Sequence, residues 1–310
     1  MERMNKKIVI TGATGLIGKK ICELLRQRGD SIIILSRLIE KAKDIFPLAE
    51  KIVRFDYNAN VFDKDLLETL ASCDAVIHLA GENIMARRWT PEHKQKIFES
   101  RINSTRYLVN AINKISNKPE VFICASAVGF YGNSETEVNE NSPKGKGFLA
   151  DVTEQWEKSS FDLEKATVRR VNIRTGMVLD KDGGALPKFL TPFKFFIGGP
   201  LGSGKQWLSW IHIYDLANLF LFALDNKNVS GIMNGVSPNP VTMKEFASTL
   251  GNAMKRPSFF KVPEFVLKII LGEASETVIG GVKVIPQKAL SLGFKFEYEN
   301  LKTALYDLLK

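Results

Sequence analysis

Cysteine, histidine and unbroken apolar sequence are all scarce in this chain. Three cysteines, Cys22, Cys73 and Cys124, are scattered over 310 residues with no C-x-x-C spacing. That excludes a disulfide framework and points to a reducing compartment. Each thiol has apolar neighbours and reads as a buried structural residue rather than a nucleophile. The three histidines, His78, His93 and His212, show no ligand spacing among themselves or with the cysteines, so no metal site is expected. His78 ends an apolar strand and reads as a core residue, whereas His93 lies in a polar helix and reads as solvated. The longest later apolar run, residues 216–224, contains Asn218 and falls far below the ~20 residues that span a bilayer. The first apolar run starts at Ile8 and is broken by Thr11 and three glycines, so neither a signal peptide nor a membrane partner is expected. These absences together indicate a cytoplasmic protein.

Charge is in modest excess. Lys and Arg number 43 against 34 Asp and Glu, a net charge of +9. It is dispersed, the densest runs being Lys6-Lys7, Lys19-Lys20 and Arg169-Arg170. No nucleic-acid motif accompanies it, so it reads as a soluble basic surface without a nucleic-acid partner. Hydrophobic residues at 45% and charged residues at 25% are ordinary for a globular chain. A chain this long buries roughly three-quarters of its unfolded surface and needs no staple.

What is present is alternation. Apolar runs at 7–11, 31–36, 52–55, 75–79, 121–125 and 167–173 read as strands. Helical patterns cover 16–28, closed by Gly29, then 91–115 and 148–165. Continuously apolar strands alternating with helices predict an α/β fold, a doubly wound parallel sheet covered on both faces. After Arg174 glycine and proline become dense and the strands short. The organisation expected is a nucleotide-binding domain over 1–174, with part of 207–236 returning to the sheet. A substrate-side region over 175–256 and a small C-terminal cap over 257–310 complete it.

Gly12, Gly15 and Gly18 stand between the first strand and the first helix. There glycines permit a tight turn and bring backbone N–H groups close to a pyrophosphate at the helix N-terminus. The second strand ends in Ser36-Arg37, where an NAD site places an acid for the ribose 2′-hydroxyl. Arginine instead suits the 2′-phosphate of NADP, because its guanidinium donates two parallel charge-assisted bonds. The alternative is a solvated residue at a strand end. NADP is therefore the expected cofactor, ahead of NAD.

From these motifs the chain resembles the extended short-chain dehydrogenase/reductase superfamily, of the nucleotide-sugar epimerase/dehydratase kind with a Rossmann sheet. His78-Leu-Ala-Gly81, Asn103-Ser-Thr105, Ser126 followed by Tyr131-Gly132, and His212-Ile-Tyr-Asp215 carry the likeness. Gly81-Glu82-Asn83, Ser100-Arg101, Trp156-Glu157, Gly202-Ser-Gly204-Lys-Gln-Trp207 and Arg256-Pro257 narrow it to an atypical branch, the epimerase family proteins with a C-terminal domain of unknown function. The resemblance implies cofactor contacts from Gly12, Thr14, Gly15, Leu16, Ile17, Gly18, Ser36, Arg37 and Asp56. Leu79, Ala80, Gly81, Glu82 and Asn103 complete that set. It also implies a homodimer through helices 91–115 and 148–165.

The catalytic pattern departs from the superfamily. Its Tyr-x-x-x-Lys pair belongs at the start of the helix near residue 148, but one register gives Phe148 and Val152, the other Leu149 and Thr153. Neither supplies a proton donor. Tyr298/Lys302 and Tyr306/Lys310 match the spacing but lie beyond the nucleotide fold. Ser126 keeps the serine position, and Tyr131 is the substitute acid, with pocket-wall packing as the alternative. Glu82 and Asp151 read as caps or further acids. Arg174, Lys205 and Trp207, with Lys188, are the candidate contacts for a small, anionic or nucleotide- or sugar-linked substrate. Residues 199–206 nearly spell a phosphate-binding GxxxxGK[ST] loop, but Gln206 replaces the hydroxyl that would hold Mg²⁺, and a strand pattern follows. The functions left are an NADP-dependent oxidoreductase or epimerase, or an NADP-binding sensor or scaffold without catalysis.

Overall fold

The computed structural model describes residues 5–310. The first half runs β1 (Lys7–Thr11), α1 (Leu16–Arg28), β2 (Ser31–Ser36), α2 (Ile39–Ile45), β3 (Lys51–Arg54), α3 (Lys64–Ala71), β4 (Ala75–His78) and α4 (Pro91–Lys114). Next come β5 (Val121–Ala127), β6 (Ser134–Val138), α5 (Phe148–Lys158), α6 (Asp162–Lys165), β7 (Arg169–Thr175), β8 (Met177–Leu179) and α7 (Leu186–Lys194). The remainder is β9 (Trp207–Leu208), β10 (Trp210–His212), α8 (Ile213–Asp225), β11 (Gly231–Gly235), β12 (Val241–Thr242) and α9 (Met243–Met254). The chain closes with α10 (Glu264–Leu271), α11 (Glu276–Ile279), β13 (Val282–Val284), α12 (Gln287–Ser291) and α13 (Leu301–Leu308).

Seven strands form one sheet in the order β11-β7-β5-β4-β1-β2-β3, parallel throughout. The order reverses between β1 and β4, where Thr11 lies opposite His78. The doubly wound reading of the alternation is thus what the chain adopts. Strand periodicity splits the apolar side chains between two layers. Ile8 and Ile10 pack with Ile21 and Leu25 of α1 and Leu216 and Phe220 of α8, whereas Val9 and Val76 face Leu66, Ile97, Ile112 and Trp156. The crevice at the carboxyl ends of β1 and β4 is where such sheets hold ligands.

Three expected elements change bounds for identifiable reasons. The helix expected over 148–165 breaks after Lys158, because the hydroxyls of Ser159 and Ser160 donate back to the carbonyls of Trp156 and Glu157 at 2.6 and 2.8 Å. The strand expected over 121–125 runs two residues further, and the one expected over 167–173 is displaced by two to Arg169–Thr175, because they pair with each other and place Ser126 beside Arg174. The outward faces of α4 and α5, expected to join two copies, expose Gln95, Lys96, Arg106, Asn110, Asp151 and Lys158 and no large apolar side chain.

Residues 257–310 are built into the body. β13 pairs with β6, Phe294 stacks edge-on against Phe222 of α8 at 5.4 Å, and Leu301 and Leu305 of α13 share a cluster with Phe246 and Leu250 of α9. The backbone N–H groups of Glu297 and Tyr298 both donate to the buried Asp215 carboxylate at 2.9 Å, tying this segment to α8. Phe294→Ala is therefore expected to destabilise the whole chain by about 3–5 kcal/mol. Circular dichroism melting should show one transition shifted down. A separate early transition, with the rest unmoved, would show that the C-terminal segment folds on its own.

Candidate cofactor and active site

The turn after β1 leaves space of a particular shape. Gly12 has φ +69°, and a Cβ there would lie 2.7 Å from the Leu79 carbonyl, so only glycine lets β1 and β4 meet this closely. A Cβ on Gly18 would strike the Gly12 oxygen at 2.4 Å, which seats α1 against the loop. At Gly15 an added Cβ would meet only the Gly12 oxygen at 3.2 Å; the space beyond it is open. Gly15 caps α1 without a side-chain bond, and the first turn holds no acid. Uncompensated N–H groups facing open space suit a pyrophosphate. Thr14 is partly buried on this loop, Leu16 meets Gly183 and Gly184, and Ile17 packs inward.

Around it a buried polar chain fixes the sheet edge. The Thr11 hydroxyl accepts the N–H groups of Leu79 and Ala80 at 3.2 Å each, so its own proton goes to His78 Nδ1 at 2.7 Å. His78 Nε2–H then donates to Ser104 of α4 at 3.2 Å, and Ser104 donates to the Ser100 carbonyl at 2.6 Å. The ring must be neutral to do this, and burial pushes its pKa down to about 3. His78 is the core residue expected from the sequence. His93 is not solvated: it is 2% exposed, and neither ring nitrogen has a hydrogen-bond partner.

Along the groove, Ser36 closes a local turn with Leu38, and the exposed Arg37 guanidinium lies 6.0 Å from the Tyr57 ring centroid, with no acid at the end of β2. Asp56 is exposed and turned into its own loop by the Asn58 N–H. Leu79 and Ala80 line the edge at partial exposure, Gly81 is open, and the Glu82 N–H donates to Ser100 at 2.9 Å. Asn103 is partly buried on α4. Arg101, absent from the predicted set, stands over this stretch: its guanidinium is 3.3 Å from where a Gly81 Cβ would be and stacks over Trp156 at 5.2 Å. Burial lowers its pKa to about 10. The Ser100-Arg101 motif was the signal available for it.

The carboxyl ends of β5 and β7 hold the catalytic candidates. Ser126 donates to Glu157 Oε1 at 2.6 Å, and Arg174 grips both oxygens of that carboxylate through Nε and Nη2 at 2.8 Å. All three are buried, and the Arg174 guanidinium lies 3.4 Å over the Phe130 ring. Arg174, expected to meet substrate, is instead committed to Glu157, and only its Nη1 lacks a partner. Tyr131 is likewise placed otherwise than expected for an acid. Its hydroxyl donates to Asn234 Oδ1 at 2.8 Å, it is 3% exposed, and burial raises its pKa. Glu157 was legible only as part of the Trp156-Glu157 motif and had no site role assigned, although Leu149, Thr153 and Glu157 at i, i+4 and i+8 share one face of α5.

The positions of the missing Tyr and Lys are filled by packing. Phe148 lies edge-on to Trp89 at 5.2 Å, Val152 is buried, and Leu149 and Thr153 face Gly129. Asp151 is exposed and paired with Lys144 at 2.7 Å. Lys188 and Lys205 are exposed, and Trp207 is half-buried with the Lys283 ammonium 5.1 Å from its ring. After Gln206 the chain enters β9 instead of a helix, as a phosphate loop would not. Tyr298 precedes α13 and stacks on His212 at 3.9 Å, while Tyr306 is exposed. The three thiols are buried, with burial pushing Cys22 and Cys73 up to about 12. Among the described residues no cluster of potential metal ligands occurs, and no helix is long and apolar enough to cross a membrane.

Residues 8–152 match the model of the NAD dependent epimerase/dehydratase family, and residues 262–308 match a domain of unknown function, DUF1731. The chain is 43% identical over 306 residues to the epimerase family protein SDR39U1 homolog, chloroplastic, of Arabidopsis thaliana, covering 98% of this chain and 86% of the relative. It is 38% identical over 304 residues to the epimerase family protein YfhF of Bacillus subtilis, covering 97% of each. Among solved structures it is similar to human epimerase family protein SDR39U1 (isoform 2) with NADPH, at TM-score 0.87 and 33% identity, covering 97% of this chain and 98% of that one.

Two outcomes are expected from this geometry. Glu157→Gln strands Arg174 and should cost about 3–5 kcal/mol in urea denaturation, with the double variant Glu157→Leu/Arg174→Met closer to the parent than the single. A cost below about 1 kcal/mol would show that the pair is not held as described. Acid sensitivity is the second. Burial holds His78 and His212 neutral, at about 3 and about 4, against 6.5 in the unfolded chain. As pH falls below 6.5 the unfolded state takes up protons that the folded state refuses. Stability present above 6.5 is then lost toward pH 4, by up to about 1.4 kcal/mol per pH unit per histidine. His212 accepts the Tyr214 N–H as the cap of α8, a role asparagine can fill, so His212→Asn should fold and lose one histidine's share of the slope. An unchanged slope would refute the assignment.

Proposed function

Because the chain belongs to the NAD dependent epimerase/dehydratase family, among the atypical extended short-chain dehydrogenase/reductases called epimerase family proteins, we propose that it is an NADP(H)-dependent oxidoreductase or epimerase. Its substrate is a small anionic molecule, of the nucleotide- or sugar-linked class. The observation that carries the cofactor is the cradle after β1: Gly12 fits only as glycine, Gly15 faces open space, and α1 begins with N–H groups that no side chain among the described residues caps. Arg37, at the end of a strand with no acid, supports the 2′-phosphate and hence NADP. The human relative named above was crystallised with NADPH. When bound, the nicotinamide supplies hydride chemistry.

The chain's own part follows from the groove. The N–H groups of Leu16 and Ile17 face the pyrophosphate, Arg37 and Ser36 hold the adenosine end, and the backbone at Leu79, Ala80 and Gly81 flanks the ribose, with Glu82, Asn103, Thr14 and Asp56 around it. Ser126 is the polar group at the reacting end. Its proton is given to Glu157, so its lone pairs are left to accept a hydrogen bond from a substrate hydroxyl. Arg174 positions that carboxylate and does not meet substrate. Lys205 and Trp207 at the outer wall receive the anionic portion. The three buried thiols suit a reducing compartment such as the cytoplasm.

A second reading, a sensor or scaffold that binds NADP(H) without turnover, is favoured by the packing that fills the Tyr and Lys positions and by the bond that Tyr131 makes to Asn234. Titration with NADPH and NADH, followed by nucleotide fluorescence and thermal shift, tests the cofactor. Arg37→Ala should weaken NADPH roughly ten- to a hundredfold and leave NADH nearly unchanged. Equal loss for both would remove Arg37 from the 2′-phosphate. Hydride turnover that disappears in Ser126→Ala supports the enzyme, whereas tight binding without turnover across a panel of nucleotide sugars and small carbonyl compounds supports the second reading.

A further inference from the structure

Eight of the fifteen large apolar side chains left exposed on the described residues come from two stretches of the substrate-side half. Phe195, Phe196 and Ile197 follow α7, with Phe195 71% exposed. Phe259 and Phe260 precede α10, with Phe259 73% exposed. The stretches lie side by side. The Phe260 N–H donates to the Gly198 carbonyl at 3.2 Å, the Val262 N–H to the Pro200 carbonyl at 3.0 Å, and the Arg256 guanidinium stacks over Phe196 at 4.3 Å. α10 continues the surface: only its Leu267 is buried, while Phe265, Ile269 and Ile270 are exposed. Isolated exposed apolar residues are ordinary, but a concentration of this kind on one face marks an interaction surface.

The charges decide what covers it. Across 186–200 and 255–271 stand Lys188, Lys194, Lys255, Arg256, Lys261 and Lys268, against a single acid, Glu264. A second copy of this chain is disfavoured, since a two-fold interface would set the same six cations against one another. A protein partner would account for the phenylalanines, since protein interfaces enrich aromatic residues, but not for the charges: such interfaces deplete Lys, and five of these six cations are lysines. Phenylalanine and isoleucine interleaved with lysine are what an anionic bilayer surface selects. The apolar side chains enter the headgroup boundary and the ammonium groups meet lipid phosphate. We propose that the face built by residues 195–200 and 259–270 docks the folded protein on an anionic lipid surface. It lies on the bilayer and does not span it.

The test is flotation of the full chain with vesicles of phosphatidylcholine alone and with about one-third phosphatidylglycerol. Binding is expected to the second and not the first, and to weaken in salt. Lys194→Glu/Lys261→Glu/Lys268→Glu should lower it by roughly fivefold per lysine or more. Phe195→Ser/Phe259→Ser/Phe265→Ser should abolish it, with NADPH-induced thermal shift intact as proof of folding. Three results overturn the proposal. One is wild-type protein that ignores both vesicles. Another is binding that survives these variants but falls when Lys43 of α2 and Lys165 before β7, remote from the face, are reversed. The third is a dimer in light scattering that the phenylalanine variants dissociate, which would assign the face to self-association.

Discussion

The structure depends on how closely β1 is allowed to approach the end of β4. The backbone at Gly12 packs where a side chain would strike the Leu79 carbonyl, and Thr11, one residue earlier, binds two N–H groups of the β4 loop. The Thr11 hydroxyl can do so only because its proton has an acceptor in neutral His78, whose other nitrogen reaches α4 through Ser104. One buried chain of hydrogen bonds therefore sets the strand spacing at the switch point, the entry to α1 and the position of α4. A charged imidazole would need two acceptors, and on one side it finds the Thr11 hydroxyl, whose lone pairs already accept the N–H groups of Leu79 and Ala80. Desolvation forbids that state in the native fold.

Across the same edge the chain replaces one kind of polar site with another. Superfamily chemistry would put a phenol and an ammonium on α5; here aromatic and aliphatic packing fills those places. A carboxylate one turn further on, Glu157, is buried against Arg174 and holds Ser126. An ion pair in so dry a place does little for net stability and much for geometry, since each partner becomes costly once the other is gone. The arrangement orients the Ser126 hydroxyl and commits its proton to Glu157. Tyr131, Asn234 and the β6–β13 pair brace the wall behind it.

How much of this was legible depended on distance along the chain. The glycine turn, the helix from Leu16 to Gly29, the apolar strands and Arg37 after β2 could all be read, because each is a local pattern whose cause lies within a turn or a strand. The absent Tyr-x-x-x-Lys pair was legible for the same reason. Boundaries drifted where a distant partner intervened, β5 lengthening and β7 shifting two residues on as they paired with each other, and the long helix was cut by two serine hydroxyls that bind their own backbone.

The sequence by itself determined the alternation, the cofactor cradle and the lack of the usual proton donor, since backbone freedom, hydrophobic period and residue type act locally. Only the tertiary structure decided that Glu157 meets a serine 31 residues before it and an arginine 17 residues after it. It also buried His93 and turned Tyr131 toward Asn234. Two apolar stretches some sixty residues apart became one basic-rimmed face by the same route. Contacts of that kind are set by which surfaces the sheet brings together, and no spacing in a single chain records them.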